Sequence, residues 1–304
     1  MSQKIVINDV GPRDGLQNQP KILSVEQRLQ LCKALVDANV CAIEVGAFVS
    51  PKAVPAMANT AEVMQGLPKG NTLYSALIPN MRGYQLALDA QVPLMSLVVA
   101  VSDMMNEKNI NMNTEQALVV CEDVLRQANQ DGANVQAYVA TAWGCPFEGD
   151  IAIAAVKAVT ERLLKAGASH IVLADTIGAA NPLAVEQLCT ELVNSVGAER
   201  LSCHFHDTRA MGLANAYAAS RAGIRQFDAS IAGLGGCPFA PGASGNVATE
   251  DLVMMFEQMG FDTGINMQAL LKAADLAIAL TGTAKGGRAK NWIETYNKKL
   301  TAVS

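Results

Sequence analysis

The sequence predicts an α/β fold, a (β/α)8 TIM barrel with a short helical extension at its C-terminal end. Three observations carry this. Eight short apolar segments alternate with eight segments of helical spacing. The strand segments read as apolar on both faces, as expected when helices cover a parallel sheet. Right-handed crossovers then favour closure, because an open sheet would leave the first and eighth strands without each other.

The strands are expected at Lys4 to Asp9, Cys41 to Gly46, Thr72 to Ile78, Leu94 to Val101, Val135 to Ala140, His170 to Ala174, Leu201 to His206 and Gln226 to Ile231. The first helix, Ser24 to Asn39, places Leu31, Leu35 and Ala38 at helical spacing behind Ser24 as N-cap. Further helices are expected at Val54 to Met64, Arg82 to Ala90, Thr114 to Gln130 with Thr114 as N-cap, Ile151 to Ala166, Pro182 to Val196, Ala210 to Ala222 and Thr249 to Met259. No linker-like shift in composition interrupts the chain. Residues 1–262 are expected to form the catalytic barrel, and 263–304 a helical extension packed on the same domain.

At 304 residues, half of them hydrophobic and 17% charged, the chain can bury a large core. A net charge of -5 offers no basic patch to meet phosphates, so nucleic acid is excluded as a partner. No apolar run reaches the roughly 20 residues that span a bilayer. The opening Met1-Ser2-Gln3-Lys4 runs straight into a strand, so no targeting segment is expected. Seven cysteines without framework spacing point to a reducing cytoplasm, and Cys32, Cys41, Cys121 and Cys189 read as packing residues.

Two of the three histidines, His204 and His206, stand two positions apart at the end of strand seven. Residues i and i+2 of a strand share a face, so the two imidazoles project side by side. This suits two neighbouring ligands on one divalent metal; the alternative is a hydrogen-bonded pair inside a polar core layer. Barrel sites lie at the C-terminal ends of the strands. Arg13 and Asp14 follow strand one, Glu44 lies near the end of strand two, and Asp175 ends strand six. Asp14 with the two histidines makes a carboxylate–bis-histidine set for Mg²⁺, Mn²⁺, Fe²⁺ or Zn²⁺ with positions left open for substrate. Arg13 adds a fork of donors for an oxyanion.

The loop from Gly233 to Asn246 carries five glycines between strand eight and the next helix, the place where barrels bind ligand. Cys237 stands inside it, away from any apolar face, and reads as a proton donor near the metal, against a buried small residue.

Five stretches together resemble the 3-hydroxy-3-methylglutaryl-CoA lyase family: Val10 to Asn18, Phe48 to Lys52, Asp175 to Gly178, His204 to Thr208 and Gly233 to Asn246. The resemblance implies retro-Claisen cleavage of 3-hydroxy-3-methylglutaryl-CoA to acetyl-CoA and acetoacetate. It implies Asp14, His204, His206 and Asn246 as ligands of a divalent metal, Mg²⁺ or Mn²⁺. It implies Arg13 against the enolate oxygen, Cys237 as proton relay, and Glu44 and Asp175 as acidic supports of the metal site and proton transfer. Arg13 and Gln17 are the expected substrate contacts, and Asp14 and His204 the candidate bases. The implied partners are an acyl-CoA and further copies of the chain, a dimer or larger, without a membrane. Ala47, Ala53 and Ala56 stand where this family usually has Ser, Trp and Gln, and Arg209-Ala210 where it has Tyr-Gly. Ala140 to Trp143 also differs. These changes are expected near the barrel mouth. A Claisen-type synthase and a citramalyl-CoA-like lyase are the alternatives; the first generally lacks the Gly-Gly-Cys-Pro loop.

Overall fold

The computed structural model describes residues 3–236 and 245–303. Eight parallel strands close into a ring: β1 (Val6–Asp9), β2 (Ala42–Ala47), β3 (Leu73–Leu77), β4 (Leu94–Ala100), β5 (Val135–Ala140), β6 (Ile171–Asp175), β7 (Leu201–Phe205) and β8 (Gln226–Ala229). β8 pairs with β7 on one side and with β1 on the other, the contact that makes a barrel of the sheet. Around it lie α1 (Val25–Asp37), α2 (Thr60–Gly66), α3 (Met81–Asp89), α4 (Asp103–Ile110), α5 (Thr114–Asp131), α6 (Ile153–Ala166), α7 (Pro182–Val196), α8 (Gly212–Arg221) and α9 (Thr249–Gln258). Two more helices follow, α10 (Met267–Thr281) and α11 (Lys290–Val303). None of the described helices is long and apolar enough to cross a membrane.

The strands are not apolar on both faces. Outward residues such as Ile7, Ile43, Leu97, Val139, Leu173, Leu201 and Phe227 join the helices in one core cluster. The alternating inward positions carry Asn8, Glu44, Ser75, Gln136, Ser202 and Asp228. The main hydrophobic layer therefore lies between sheet and helices, while the barrel axis mixes these polar groups with a small apolar cluster of Val98, Tyr138, Val172 and Ala174. Small barrels fill their axis with side chains, and here those side chains bond to one another: Gln136 Nε2 donates to Ser96 Oγ at 3.0 Å.

Several local expectations are corrected. Asn113, not Thr114, caps α5, in a box with Gln116 that satisfies both backbone donors. The Thr114 hydroxyl instead accepts from Asn106 Nδ2 at 3.0 Å. The helix expected from Val54 breaks at Asn59, whose φ of 59° is left-handed, and α2 starts only after it. α4 has no apolar stripe to betray it; Ser102 caps it, and buried Asn106 pins it to β4 through both polar atoms of Ala100. Cys41 is exposed rather than packed, while Cys32, Cys121 and Cys189 are buried.

The chain beyond the barrel is tied back to its start. Ile5 N donates to Asp262 O and Asp262 N to Gln3 O, both at 3.0 Å, and Asn266 N donates to Ala38 O at 2.9 Å. α10 then buries Leu270, Ala273, Ala274 and Ala277 in the main core.

Candidate active site

A tight turn over Gly11–Gly15 follows β1, with the amides of Arg13 and Gly15 both donating to Val10 O at 3.1 Å. Gly15 is required there, because a Cβ would lie 2.8 Å from Leu234 Cβ and 2.9 Å from Ser230 Oγ. The turn delivers Arg13 into the barrel mouth. Its Nε donates to Glu44 Oε2 at 2.5 Å and its Nη1 to Asp14 Oδ1 at 2.7 Å. Glu44 lies fully buried behind it.

β7 ends at Phe205, one residue earlier than expected, and an isolated bridge to Asn246 holds His206 in its place. The returning glycine loop makes that bridge: Asp207 N donates to Gly245 O at 2.9 Å and Val247 N to Phe205 O at 3.1 Å. Asn246 then reaches Asp14 Oδ2 with its Nδ2 at 2.8 Å. The His204 and His206 rings lie 5.2 Å apart between centroids. One ligand atom each from Asp14, His204 and His206 falls within 4.8 Å of the others.

Asp228 was not singled out from the sequence, yet it organises the layer beneath. Its neighbours in register are His204 on β7 and Asn8 on β1. Its Oδ2 faces His204 Nδ1 at 3.1 Å and accepts from the Tyr138 hydroxyl at 2.7 Å; its Oδ1 accepts from Asn8 Nδ2 at 2.9 Å. In the neutral imidazole, a carboxylate against Nδ1 favours the tautomer with its proton there and leaves Nε2 with a free lone pair. The readable signal was an inward acid on strand eight, level with the first histidine of strand seven.

The charges agree with a cation site. Burial alone would lift the Asp14 carboxyl, but Arg13, His204, His206 and the Asn246 bond hold it down at about 2. Burial and the neighbouring His204 hold His206 down at about 4, against the pull of Asp14, so it is neutral near pH 7, as a metal ligand must be. Burial also lowers His204, but Asp228 and Asp14 outweigh it and the net direction is up, so a cation bound there would have to displace a proton from its ring. Asn246 Oδ1 and His206 Nδ1 are buried with no partner among the described residues. Unsatisfied buried polar atoms are costly. Two of them beside a paired carboxylate and a histidine fit a divalent cation.

A cavity of about 190 Å³ opens onto this group. Arg13, Asp14, Gln17, His204 and His206 line one side; Val98, Ala100, Ala140 and Ala174 line the other. Of the substitutions noted above, Ala140 reaches the cavity, whereas Ala47, Ala53 and Ala56 are not among its lining residues. Asp175 does not reach it either. Its Oδ1 accepts from the amides of Ala179 and Ala180 at 2.7 and 3.1 Å, while its Oδ2 has no described partner. Burial, against those two amides, lifts this carboxyl to about 6. Cys237 lies outside the described residues; its neighbour Gly236 lines the cavity. A larger space of about 290 Å³ occupies the opposite, N-terminal end of the barrel, lined by Asn8, Ser75, Gln136 and His170, away from the Asp14 cluster.

The HMGL-like family model matches residues 4–277. The chain belongs to the HMGL-like family. It is 42% identical over 288 residues to the hydroxymethylglutaryl-CoA lyase of Pseudomonas mevalonii, covering 94% of this chain and 96% of that one. It is 40% identical over 291 residues to the (R)-citramalyl-CoA lyase of Chloroflexus aurantiacus, covering 92% of each. A solved hydroxymethylglutaryl-CoA lyase of this family, from Acinetobacter baumannii in complex with coenzyme A and 3-methylmalate, matches with a TM-score of 0.91 at 39% identity, over 95% of this chain and 94% of that one.

Proposed function

We propose that this protein cleaves 3-hydroxy-3-methylglutaryl-CoA, or a close 3-hydroxyacyl-CoA, to acetyl-CoA and acetoacetate or the matching keto acid. It is a carbon–carbon lyase of the hydroxymethylglutaryl-CoA type, like relatives about 40% identical to it. The observation that carries the reading is the convergence of Asp14, His204 and His206 beside Arg13 at the C-terminal rim of the barrel.

Asp14, His204, His206 and the Oδ1 of Asn246 would hold the cation, Mg²⁺ or Mn²⁺. When bound, it supplies a Lewis acid that polarises the substrate's oxygens. The tertiary hydroxyl gives up its proton, the C2–C3 bond breaks, and the electrons pass to the thioester as an enolate that is then protonated. Arg13 is positioned for the developing enolate oxygen, since Glu44 and Asp14 fix its guanidinium before substrate arrives. Asp14, held near 2, is the weaker of the two candidate bases. His204 is backed by Asp228 and has Nε2 alone for either task, ligand or base. Cys237 supplies or relays the proton to the enolate, and Gln17 contacts the substrate. Glu44 and Asp175 support the site from behind it.

Free thiols at all six described cysteines suit a cytoplasmic setting. An assembly of two or more copies is tested by sedimentation. The test of the function is incubation with Mg²⁺ and 3-hydroxy-3-methylglutaryl-CoA. Acetoacetate is expected; release of free thiol without acetoacetate would mean a thioester hydrolase.

A further inference from the structure

Arg209 stands three residues beyond His206, exposed at the rim, in the loop between β7 and α8. Its guanidinium is nevertheless committed. Nε donates to Gly178 O at 2.7 Å, and Nη2 donates to Ala179 O and, at 2.8 Å, to Ala180 O. Three successive carbonyls of the loop after β6 are thus gathered by one side chain. The amides of Ala179 and Ala180 are held from the other side by Asp175. The two loops also touch directly, since a Cβ on Gly178 would lie 2.8 Å from Thr208 Cβ.

The contact continues around the rim. Thr176 accepts from Thr141 N at 2.8 Å, and the Thr141 hydroxyl accepts from Val101 N at 3.2 Å. Polar contacts therefore follow one another across the ends of four consecutive strands, β4 to β7, with Arg209, beside Asn215 Nδ2 on Ala180 O at 3.2 Å, linking the loop after β6 to the segment just beyond His206. Thr141 and Ala210 have φ of 57° and 56°, left-handed for residues with a Cβ. Such backbone persists only where its surroundings over-determine it. Ala140, Ala174 and Thr176, next to these contacts, line the cavity wall facing the metal-binding cluster.

We propose that Arg209 is a positioning residue. It locks the loop after β6 to the end of β7 and so sets the distance between the cavity wall and His204 and His206. A planar fork can span adjacent carbonyls, whereas an ammonium acts as a point charge. The bearing on catalysis rests on the lyase reading above; the clamp itself does not.

The test uses Arg209→Ala and Arg209→Lys in the full chain. Amide hydrogen exchange at Ala179 and Ala180 is expected to speed up in both. In Arg209→Ala, kcat/KM on 3-hydroxy-3-methylglutaryl-CoA is expected to fall at least ~10-fold, the scale of a small misplacement. Mn²⁺ affinity should stay near wild type, and added guanidinium ion should restore much of the loss; Arg209→Lys should not recover it. Unchanged exchange overturns the clamp, whatever activity does. Faster exchange with unchanged kcat/KM, a loss that guanidinium does not relieve, or a parallel fall in Mn²⁺ affinity overturns the positioning role. Should the wild type not cleave this substrate, the lyase reading fails separately and exchange alone decides the clamp.

Discussion

Asn246 Nδ2 donates to Asp14 Oδ2 at 2.8 Å, joining the loop after β8 to the turn after β1. The bond orients the amide and leaves its Oδ1 buried without a described partner. Asn246→Ala should therefore weaken Mn²⁺ binding ~10-fold or more, the scale of losing an ordered ligand or its support. His206→Ala should do at least as much. Titration followed by electron paramagnetic resonance reads this directly, and wild-type affinity in both variants would remove these residues from the ligand set. Chelation should abolish turnover, and Mg²⁺ or Mn²⁺ should restore it.

Gly235 controls Asn246 without being a ligand. Its φ of 146° disfavours any side chain, and a Cβ there would lie 2.6 Å from Asn246 Nδ2. Gly235→Ala is expected to lower metal affinity in the same direction as Asn246→Ala. A variant with full affinity would show that the amide can shift without leaving the site.

Arg13→Lys keeps the charge opposite buried Glu44 but loses the fork that bonds Glu44 and Asp14 together. Turnover should fall ~10² or more, as when one oxyanion donor is removed, while Mn²⁺ affinity changes little. Steady-state kinetics beside a metal titration separate the two. Near-normal turnover would mean that the guanidinium does not meet the enolate.

How much of this was legible depends on range. The positions of the eight strands and the His204–Phe205–His206 spacing are local, and both survive folding, whereas the reading of the strands as apolar on both faces does not. Asp228 was missed because its meaning lies in register: only with β8 seated beside β7 does it meet His204. α4 was missed because it is held by one buried methionine, Met105, and one buried asparagine, Asn106, rather than by an apolar stripe. Asp175 was placed at the correct strand end, but β6 alternation turns it outward, opposite Ala174, onto the amides of its own loop.

Stability should depend on pH through Glu250. Burial lifts its carboxyl from 4.5 to about 7, outweighing the backbone amides of Gly287 and Ala232. Between those values the folded state holds a proton that the unfolded state has released, so stability falls as pH rises from 4.5 to 7. Below 4.5 the contribution is fully present. Glu250→Gln should flatten this stretch of the curve of melting temperature against pH. An unchanged slope would assign the proton elsewhere.

Cys237→Ser replaces the proposed proton relay with a far weaker acid, so turnover should drop much more than apparent substrate binding. Alkylation should inactivate the enzyme, and substrate with metal should protect it. Because Cys41 is exposed, the labelling is run on Cys41→Ser, where the five other described cysteines are buried. Normal turnover of Cys237→Ser would end the catalytic assignment.

Closure of the barrel between β1 and β8 has a consequence for how the protein is made. Asp14 leaves the ribosome early, whereas its partner Asn246 follows 232 residues later. At ordinary translation speeds that is a wait of roughly ten to fifty seconds. Through that interval one edge of β1 has no strand to bond, and such long-range pairing is slow to form even once both strands exist. The proposed cation site is therefore among the last parts of the molecule to assemble, and a metal bound by Asp14 and Asn246 together would be loaded after β8 has closed the barrel rather than onto the nascent chain.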